Sequence, residues 1–146
     1  MNNQDYKYLV QWKWFAIQGD GKTFYAARMS RIGERSPRGT ILMHQVIFGG
    51  PCDHKNRNGL DNRHKNLRRA TASQQTMNQG LRKDNTSGFK GVSWYAGKWI
   101  SGIRLNGKRI YLGYFSSKIK AGKAYDKAAL KYFGEFAVLN FPKEAA

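Results

Sequence analysis

The sequence of this 146-residue chain predicts an α+β fold built from two modules. Alternating runs on either side of Asn106-Gly107 predict antiparallel strands in the second half. Alanines at helical spacing over residues 117–133 predict one long helix packed behind those strands. Two aromatic runs around residues 19–21 predict an N-terminal β-hairpin. We therefore expect a three-stranded antiparallel sheet packed on one helix, preceded by a smaller module that begins with a hairpin.

The N-terminal region predicts that hairpin and then an apolar segment that fits two structures. Residues 8–17, YLVQWKWFAI, and residues 23–29, TFYAARM, are the strand-like runs on either side of the turn. Residues 41–50, ILMHQVIFGG, are apolar almost throughout. Periodicity cannot separate a strand from a short helix there, so both remain open.

A β–β–α order is predicted after residue 50. Asp53 and His54 lie on a short strand at the start of DHKNRNGLDNRHKNLRRAT, and a long polar loop leads to a return strand over residues 67–71. Thr71 and Gln74 have the spacing of a helix capping box, which would start a short helix. This order can bring an imidazole, a carboxylate and a helix together around one point.

A polar segment separates the two modules. Residues 80–88, GLRKDNTSG, carry glycine at both ends and predict a linker. The predicted organisation is therefore a first module over 1–80, a linker over 81–88 and a second module over 89–142.

The second module predicts a three-stranded meander over residues 90–115 and a helix ended by Gly134. One face of that helix carries Ala121, Ala124, Tyr125, Ala128 and Tyr132. Strand alternation predicts an apolar sheet face toward the helix, made of Val92, Trp94, Trp99, Ile103, Ile110 and Leu112. The opposite face is basic and aromatic, with Lys90, Ser93, Tyr95, Lys98, Arg104, Arg109 and Tyr111.

Charge indicates the class of partner. The chain has 26 basic and 9 acidic residues, a net charge of +17 that is spread over both halves. A long polyanion such as nucleic acid is the expected partner, with a generic basic surface as the alternative. The single cysteine, Cys52, excludes an intrachain disulfide. Without a signal-like leader or a long apolar run, we expect a cytoplasmic protein with no membrane partner.

Asp53 and His54 have side chains suited to phosphodiester chemistry. A neutral imidazole can take a proton from water, and carboxylate and amide oxygens can hold a hard divalent cation. Four arginines nearby offer phosphate contacts, namely Arg57, Arg63, Arg68 and Arg69. Taken alone, the pair is better explained as a hydrogen-bonded loop histidine beside an aspartate at a turn or helix start.

The longer stretch DHKNRNGLDNRHKNLRRATASQQTMN, with MHQVIFG upstream, resembles the HNH endonucleases of phages and introns. The resemblance implies a ββα-metal module with one Mg²⁺ or Mn²⁺ ion. It makes His54 the general base, Asp53 a metal ligand and Asn66 the residue that orients His54. Asn62 would stabilise the loop, and Gln75 aligns with the second metal ligand, where relatives usually carry asparagine.

Residues 85–142 carry the segments FKGV, GKW, IRL, KRIYLG and AYDKAALKYFGEFAVLNFP. These segments resemble the Apetala-2, or ethylene-response-factor, type of plant DNA-binding domain. The resemblance implies that the basic sheet face enters the DNA major groove. Arg104 and Arg109 would then contact guanine edges, and Lys90 and Lys98 would contact phosphates.

Together these resemblances predict a metal-dependent HNH endonuclease of the homing or nicking type, which hydrolyses double-stranded DNA and takes no small-molecule substrate. We expect a monomer or weak dimer. The alternative is a catalytically inactive, sequence-specific DNA-binding regulator that retains the HNH frame. Gly102 stands where plant relatives often carry a charged residue, so the base preference does not transfer.

Overall fold

The computed structural model describes residues 3–19, 23–34 and 39–142. The chain forms two compact units, Met1–Ala72 and Ser73–Ala146. Both contain antiparallel strands and helices, so the predicted α+β class is confirmed. The predicted module limits of 1–80, 81–88 and 89–142 stay a prediction. Two residues of the predicted hairpin turn, Asp20 and Gly21, lie outside the described residues.

The first unit contains two α-helices and five strands among its described residues. In chain order they are α1 (Asn3–Leu9), β1 (Phe15–Gln18), β2 (Phe24–Met29), β3 (Thr40–Leu42), α2 (Met43–Phe48), β4 (Cys52–His54) and β5 (Leu67–Arg69). Strands β1, β2 and β3 form one antiparallel sheet in that order. Strands β4 and β5 form a second antiparallel pair, with Asp53 opposite Arg68.

Two segments of the first unit differ from the sequence prediction. The predicted strand over residues 8–17 is wrong at its start, because α1 extends to Leu9 and β1 begins only at Phe15. The Trp14 indole donates to the carbonyl of Leu9 at 2.8 Å, which ties the connection to the helix end. The undecided segment 41–50 contains both candidate structures, the end of β3 and then α2.

The second unit is a three-stranded sheet covered by one helix. Helix α3 (Ala72–Met77) begins at the boundary, followed by β6 (Val92–Tyr95), β7 (Lys98–Leu105), β8 (Lys108–Phe115) and α4 (Lys118–Phe133). The strands pair antiparallel in the order β6-β7-β8, as the meander prediction requires. None of the helices described in either unit is long and apolar enough to cross a membrane.

Helix α4 packs on the sheet through small residues and two large aromatic side chains. Ala121 and Ala129 are fully buried, and Tyr125, Ala128 and Phe133 join Ile103 in the core. The predicted place of Tyr132 in this face is wrong, because Tyr132 is 36% exposed. Phe133, one position further along the last helical turn, occupies the core instead. The alanines let the helix backbone lie close to the strands.

A bulge between β7 and β8 changes which side chains face outward. The pairing register shifts between Ser101 and Gly102, and Gly113 on β8 has φ of 128°. The extra residue reverses the alternation along β8 beyond that point. Tyr114 therefore pairs with Ile100 and lies on the face opposite α4.

The predicted linker contains a folded turn. The Asn85 side chain accepts from Gly88 N at 2.8 Å and donates to Phe89 O at 3.0 Å. The buried Ser87 hydroxyl also donates to Phe89 O, at 2.9 Å. Phe89 then stacks on Phe141 with ring centroids 5.2 Å apart. The end of the polar segment is thus part of the second unit rather than a loose connection.

Candidate nucleic-acid interface

The surface of the β6-β7-β8 sheet that faces away from α4 carries most of the predicted DNA-contacting residues. We call this surface the outer face. The strand registers place on it Ser93, Tyr95, Lys98, Ile100, Gly102, Arg104, Arg109, Tyr111 and Tyr114. Because directly paired residues share a face, the predicted members of this set stand side by side.

The outer face has cations without balancing anions. Arg104 and Arg109 are directly opposite each other across β7 and β8, and both are exposed. No ion pair holds Lys98, Arg104 or Arg109 in the part of the chain that the structure describes. Like charges directly opposite destabilise a sheet. This arrangement therefore suits a surface that an external anion neutralises.

Exposed tyrosines lie among these cations. Tyr95, Tyr111 and Tyr114 are 64%, 50% and 56% exposed. The rings of Tyr111 and Tyr114 meet edge to face with centroids 5.3 Å apart. Loss of hydration, together with a hydrogen bond to Tyr114, raises the pKa of Tyr111 to about 12. This phenol therefore stays protonated at physiological pH.

Sequence reasoning missed Tyr114 because strict alternation along β8 places it on the opposite side. Gly113 was the available signal, since a glycine inside a strand pattern often marks a bulge.

Trp94 departs from the predicted burial rather than from the predicted face. It lies on the helix side next to Trp99, with centroids 4.8 Å apart, yet it is 57% exposed. The predicted apolar face is therefore only partly covered.

Lys90 does not belong to the outer face. Its ammonium group donates to the carbonyl of Met77 at 2.8 Å and also to the carbonyl of Gln79. A cation bonded to carbonyls just past a helix C-terminus is favourable. In this structure the Lys90 side chain stabilises the end of α3, and its predicted phosphate contact stays a prediction.

His54, the predicted general base, is a buried side chain of the first unit. Its Nε2 lies 3.1 Å from Asn62 Oδ1, and its ring packs against Tyr25 and His44 at centroid distances of 5.9 and 4.9 Å. The Asn62 amide nitrogen donates to Leu60 O, which leaves its oxygen to accept from His54. The Nε2 proton is thus engaged in the fold.

Asp53, the predicted metal ligand, is held by an arginine. Arg68 donates from Nε and Nη2 to Asp53 Oδ2 at 3.1 and 2.9 Å, and both side chains are largely buried. The Asp53 carboxylate is thus engaged in an ion pair within the fold. The predicted phosphate contact of Arg68 stays a prediction.

The asparagines of the loop between β4 and β5 hold one another. Asn66 accepts from Asn56 N at 3.0 Å and donates to Asp61 O at 2.7 Å, and Asn56 donates to Asp61 Oδ2 at 2.8 Å. Asn62 makes the side-chain contact with His54, and the predicted role of Asn66 in orienting His54 stays a prediction. The asparagine-rich composition satisfies the backbone and side chains of a long loop.

The predicted metal centre does not fit the donors. Among the described residues, no group of three or more His, Cys, Asp or Glu side chains could hold a metal ion. Gln75, the proposed second ligand, is an exposed residue of α3 and belongs to the second unit. With Asp53 bound by Arg68, the residues present do not support a Mg²⁺ or Mn²⁺ site.

Three arginines of the predicted phosphate-binding set are exposed. Arg57 has φ of 62° at the start of the loop. Arg63 binds Asp61 through two 2.6 Å contacts, which lower the pKa of that carboxyl. Arg69 lies over the Phe48 ring at 5.9 Å. Phosphate contacts by these three arginines stay predictions.

Comparison with known proteins matches part of the chain to plant transcription factors. An ethylene-responsive transcription factor of Arabidopsis thaliana, WRI1, is 34% identical over 85 residues, 58% of this chain and 20% of the relative. APETALA2-like protein 2 of Oryza sativa subsp. indica is 41% identical over 61 residues, 40% of this chain and 14% of the relative. Ethylene-responsive transcription factor ERF015 of Arabidopsis thaliana is 44% identical over 61 residues, 38% of this chain and 32% of the relative.

These matches support the Apetala-2 type of domain and leave the HNH module without support. The chain spans less than a third of the length of each of these relatives. No protein-family model matches the chain, and no solved structure matches it. The sheet-on-helix unit is compatible with an Apetala-2-like fold.

The prediction of a metal-dependent endonuclease is wrong. The relatives are named as transcription factors, which are not enzymes, and this overturns the predicted hydrolase activity and the predicted Mg²⁺ or Mn²⁺ cofactor. The contacts of Asp53, His54 and Asn66 agree with this correction, because each side chain is engaged in holding the first unit together. The alternative, a DNA-binding regulator, fits these observations better.

Proposed function

We propose that this chain is a non-catalytic regulator that binds double-stranded DNA through the outer face. The observation that carries this proposal is the exposed Arg104–Arg109 pair, which no described carboxylate neutralises. Its setting among exposed tyrosines adds planar surfaces beside the cations. The first unit retains an HNH-like frame as structure, with its acid and histidine used for internal contacts.

The chemistry of the outer face suits the major groove. A small antiparallel sheet can enter that groove, where each base pair presents a distinct pattern of donors and acceptors. An arginine can donate two hydrogen bonds to guanine O6 and N7. Arg104 and Arg109 are the residues for base edges, Lys98 contacts phosphate, and Ser93, Tyr95 and Tyr111 complete the surface. We add Tyr114, which the bulge brings to this face.

The rest of the chain supplies affinity for DNA that does not depend on the base sequence. Arg57, Arg63 and Arg69 are exposed in the first unit and can contact phosphates there. Phosphate contacts fix register and raise affinity without reading sequence. The predicted cytoplasmic location and the monomeric or weakly dimeric state remain predictions.

The proposal is tested by selecting bound duplexes from a random DNA library and then measuring affinity by fluorescence anisotropy. We expect an enriched sequence, and Arg104→Ala and Arg109→Ala should each lower discrimination at one base pair roughly tenfold or more. Lys108→Ala is the matched control. It removes the same charge next to Arg109, but Lys108 pairs with Leu105 on the other side of the sheet.

Two results would overturn the proposal. One is a library that yields no enriched duplex, or duplex binding that an equal amount of RNA abolishes. The other is an equal loss in Lys108→Ala and in the two outer-face variants, which would reduce the outer face to a solvated basic surface.

A further inference from the structure

Gly102 leaves an opening at the centre of the outer face. It lies on β7 opposite Tyr111, and its amide donates to Gly91 O at 2.9 Å on the β6 side. Although Gly102 has no side chain, it is buried. Something else covers this position.

The guanidinium group of Arg109 provides the cover. A Cβ atom placed on Gly102 would lie 3.0 Å from Arg109 Nε and 3.5 Å from its Nη2. Arg109 is paired with Arg104 in the register, so it reaches Gly102 diagonally along the neighbouring strand. Long side chains commonly contact such diagonal neighbours in antiparallel sheets.

Electrostatics explains why Arg109 takes this direction. Arg104 and Arg109 are directly opposite, and their guanidinium groups repel when both point straight out. The opening at Gly102 lets Arg109 lean away from Arg104 along the strand. A side chain at position 102 would remove that space.

We propose that Gly102 is a positioning residue, whose missing side chain sets the orientation of the Arg109 guanidinium and thereby the base preference of the outer face. This inference rests on the proposed DNA-binding function. Gly102 itself need not touch DNA. Its effect is exerted entirely through Arg109.

A series of substitutions separates this role from a role in folding. In Gly102→Ala, Arg109 must give way by a few tenths of an ångström, and the carbonyl of Ile110 at 3.3 Å limits the space from the other side. In Gly102→Val, the branched side chain fills the opening and displaces the guanidinium. Valine is well suited to strands, and Gly102 is not among the positive-φ glycines, so the fold should tolerate both.

The test uses the full chain, the duplex selected by the wild type, and single-base variants of that duplex. We expect Gly102→Val to change discrimination at the base pair that depends on Arg109 by roughly tenfold, and Gly102→Ala to change it less. The salt dependence should stay unchanged, since no charge is removed. In an Arg109→Ala background, Gly102→Val should have no further effect on discrimination, because coupled residues are not additive.

The outcomes distinguish this inference from the function on which it rests. If the wild type selects no sequence, the proposed function fails. If the wild type selects a sequence but Gly102→Val and Gly102→Ala both keep its discrimination, only the positioning role is overturned. An undiminished effect of Gly102→Val in the Arg109→Ala background would also overturn it. Thermal unfolding of each variant checks the fold, and Gly102→Ala carries the test if the valine variant is unstable.

Discussion

Single residues of the first unit show how polar side chains become structural. Tyr25, His44 and His54 form a buried ring cluster, with His44 and His54 edge to face at 4.9 Å. His44 Nδ1 is buried without a hydrogen-bond partner in the described residues. Burial, with the nearby His54, lowers the pKa of His44 to about 4. The cluster therefore requires a neutral imidazole at position 44.

This requirement predicts a pH-dependent stability. The unfolded His44 takes up a proton near pH 6.5, whereas the folded one does so near pH 4. As pH falls through this window, the unfolded state gains protons first, so the free energy of unfolding should drop by about 3 kcal/mol. His44→Phe keeps an aromatic ring and should abolish the part of this fall in unfolding free energy that comes from His44. Urea unfolding at several pH values checks it, and an identical pH profile in the variant would contradict the assignment.

Gly91 shows the opposite case, a residue whose lack of a side chain is required by packing. A Cβ there would lie 2.0 Å from Tyr125 Cδ2, and Gly91 has φ of 74°. We expect Gly91→Ala to lower the free energy of unfolding by about 3 kcal/mol or more, from overpacking plus backbone strain.

Gly88→Ala is the matched control for Gly91→Ala. Gly88 has a similar φ of 77°, but nothing lies within 4 Å of the place that an alanine methyl group would occupy there. Only the backbone cost of about 1 kcal/mol for a left-handed alanine should therefore remain. Chemical denaturation of both variants measures the difference. Equal losses would show that the Tyr125 contact contributes nothing.

At the scale of secondary-structure elements, the second unit was the more predictable half. Asn106-Gly107 forms the turn between β7 and β8, and α4 runs from Lys118 to Phe133 behind a Ser117 cap and before Gly134. These elements follow from local rules, namely turn chemistry, capping and helical periodicity. Each signal is contained within a few residues of the element it predicts.

Features that depend on distant contacts were not predictable. The end of β8 changes face at a bulge whose position depends on pairing with β7. Lys90 was assigned to the sheet, yet its ammonium bonds carbonyls beyond α3. The asparagine loop matched a nuclease pattern by residue type, but the partners of Asn62 and Asn66 depend on the folded loop. The sequence pattern identified these residues, but their contacts could be read only from the folded chain.

A buried carboxylate ties α4 to the segment after it. Asp126 accepts from Asn140 N at 2.9 Å, Asn140 Nδ2 at 3.0 Å and Phe141 N at 2.8 Å. Asn140 in turn accepts from Lys90 N at 2.7 Å, next to the start of β6. One side chain thus connects helix, sheet and C-terminal segment.

This network predicts a large effect from one substitution. Asp126→Ala would leave three partly buried donors without their acceptor, so the free energy of unfolding should fall by about 3 kcal/mol. Lys127→Ala, one residue further on the exposed side of α4, should change it by less than about 0.5 kcal/mol. Denaturant titration compares the two. A small loss in Asp126→Ala would mean that water satisfies these donors equally well.

At the scale of the whole molecule, net charge and base recognition should make separate contributions to DNA binding. The net charge of +17 should attract any duplex, whereas the proposed role of the outer face is to read bases. Both units contribute cations, and α4 alone presents Lys120, Lys123, Lys127 and Lys131 as exposed residues. The only acid within α4, Asp126, is buried in its hydrogen-bond network. Affinity for non-specific DNA should therefore be high at low salt.

The last prediction follows from this separation. Between about 50 and 200 mM salt, binding to any duplex should weaken steeply, with a log–log slope of roughly −0.9 per phosphate contact. Arg104→Ala should lower the ratio of specific to non-specific affinity, because it removes a base contact. Lys120→Ala with Lys127→Ala should leave that ratio unchanged, because these lysines lie on a helix surface away from the sheet. Anisotropy titrations over the salt range measure both quantities. A ratio that depends equally on helix lysines and outer-face arginines would mean that charge, not base contact, determines which duplex is bound.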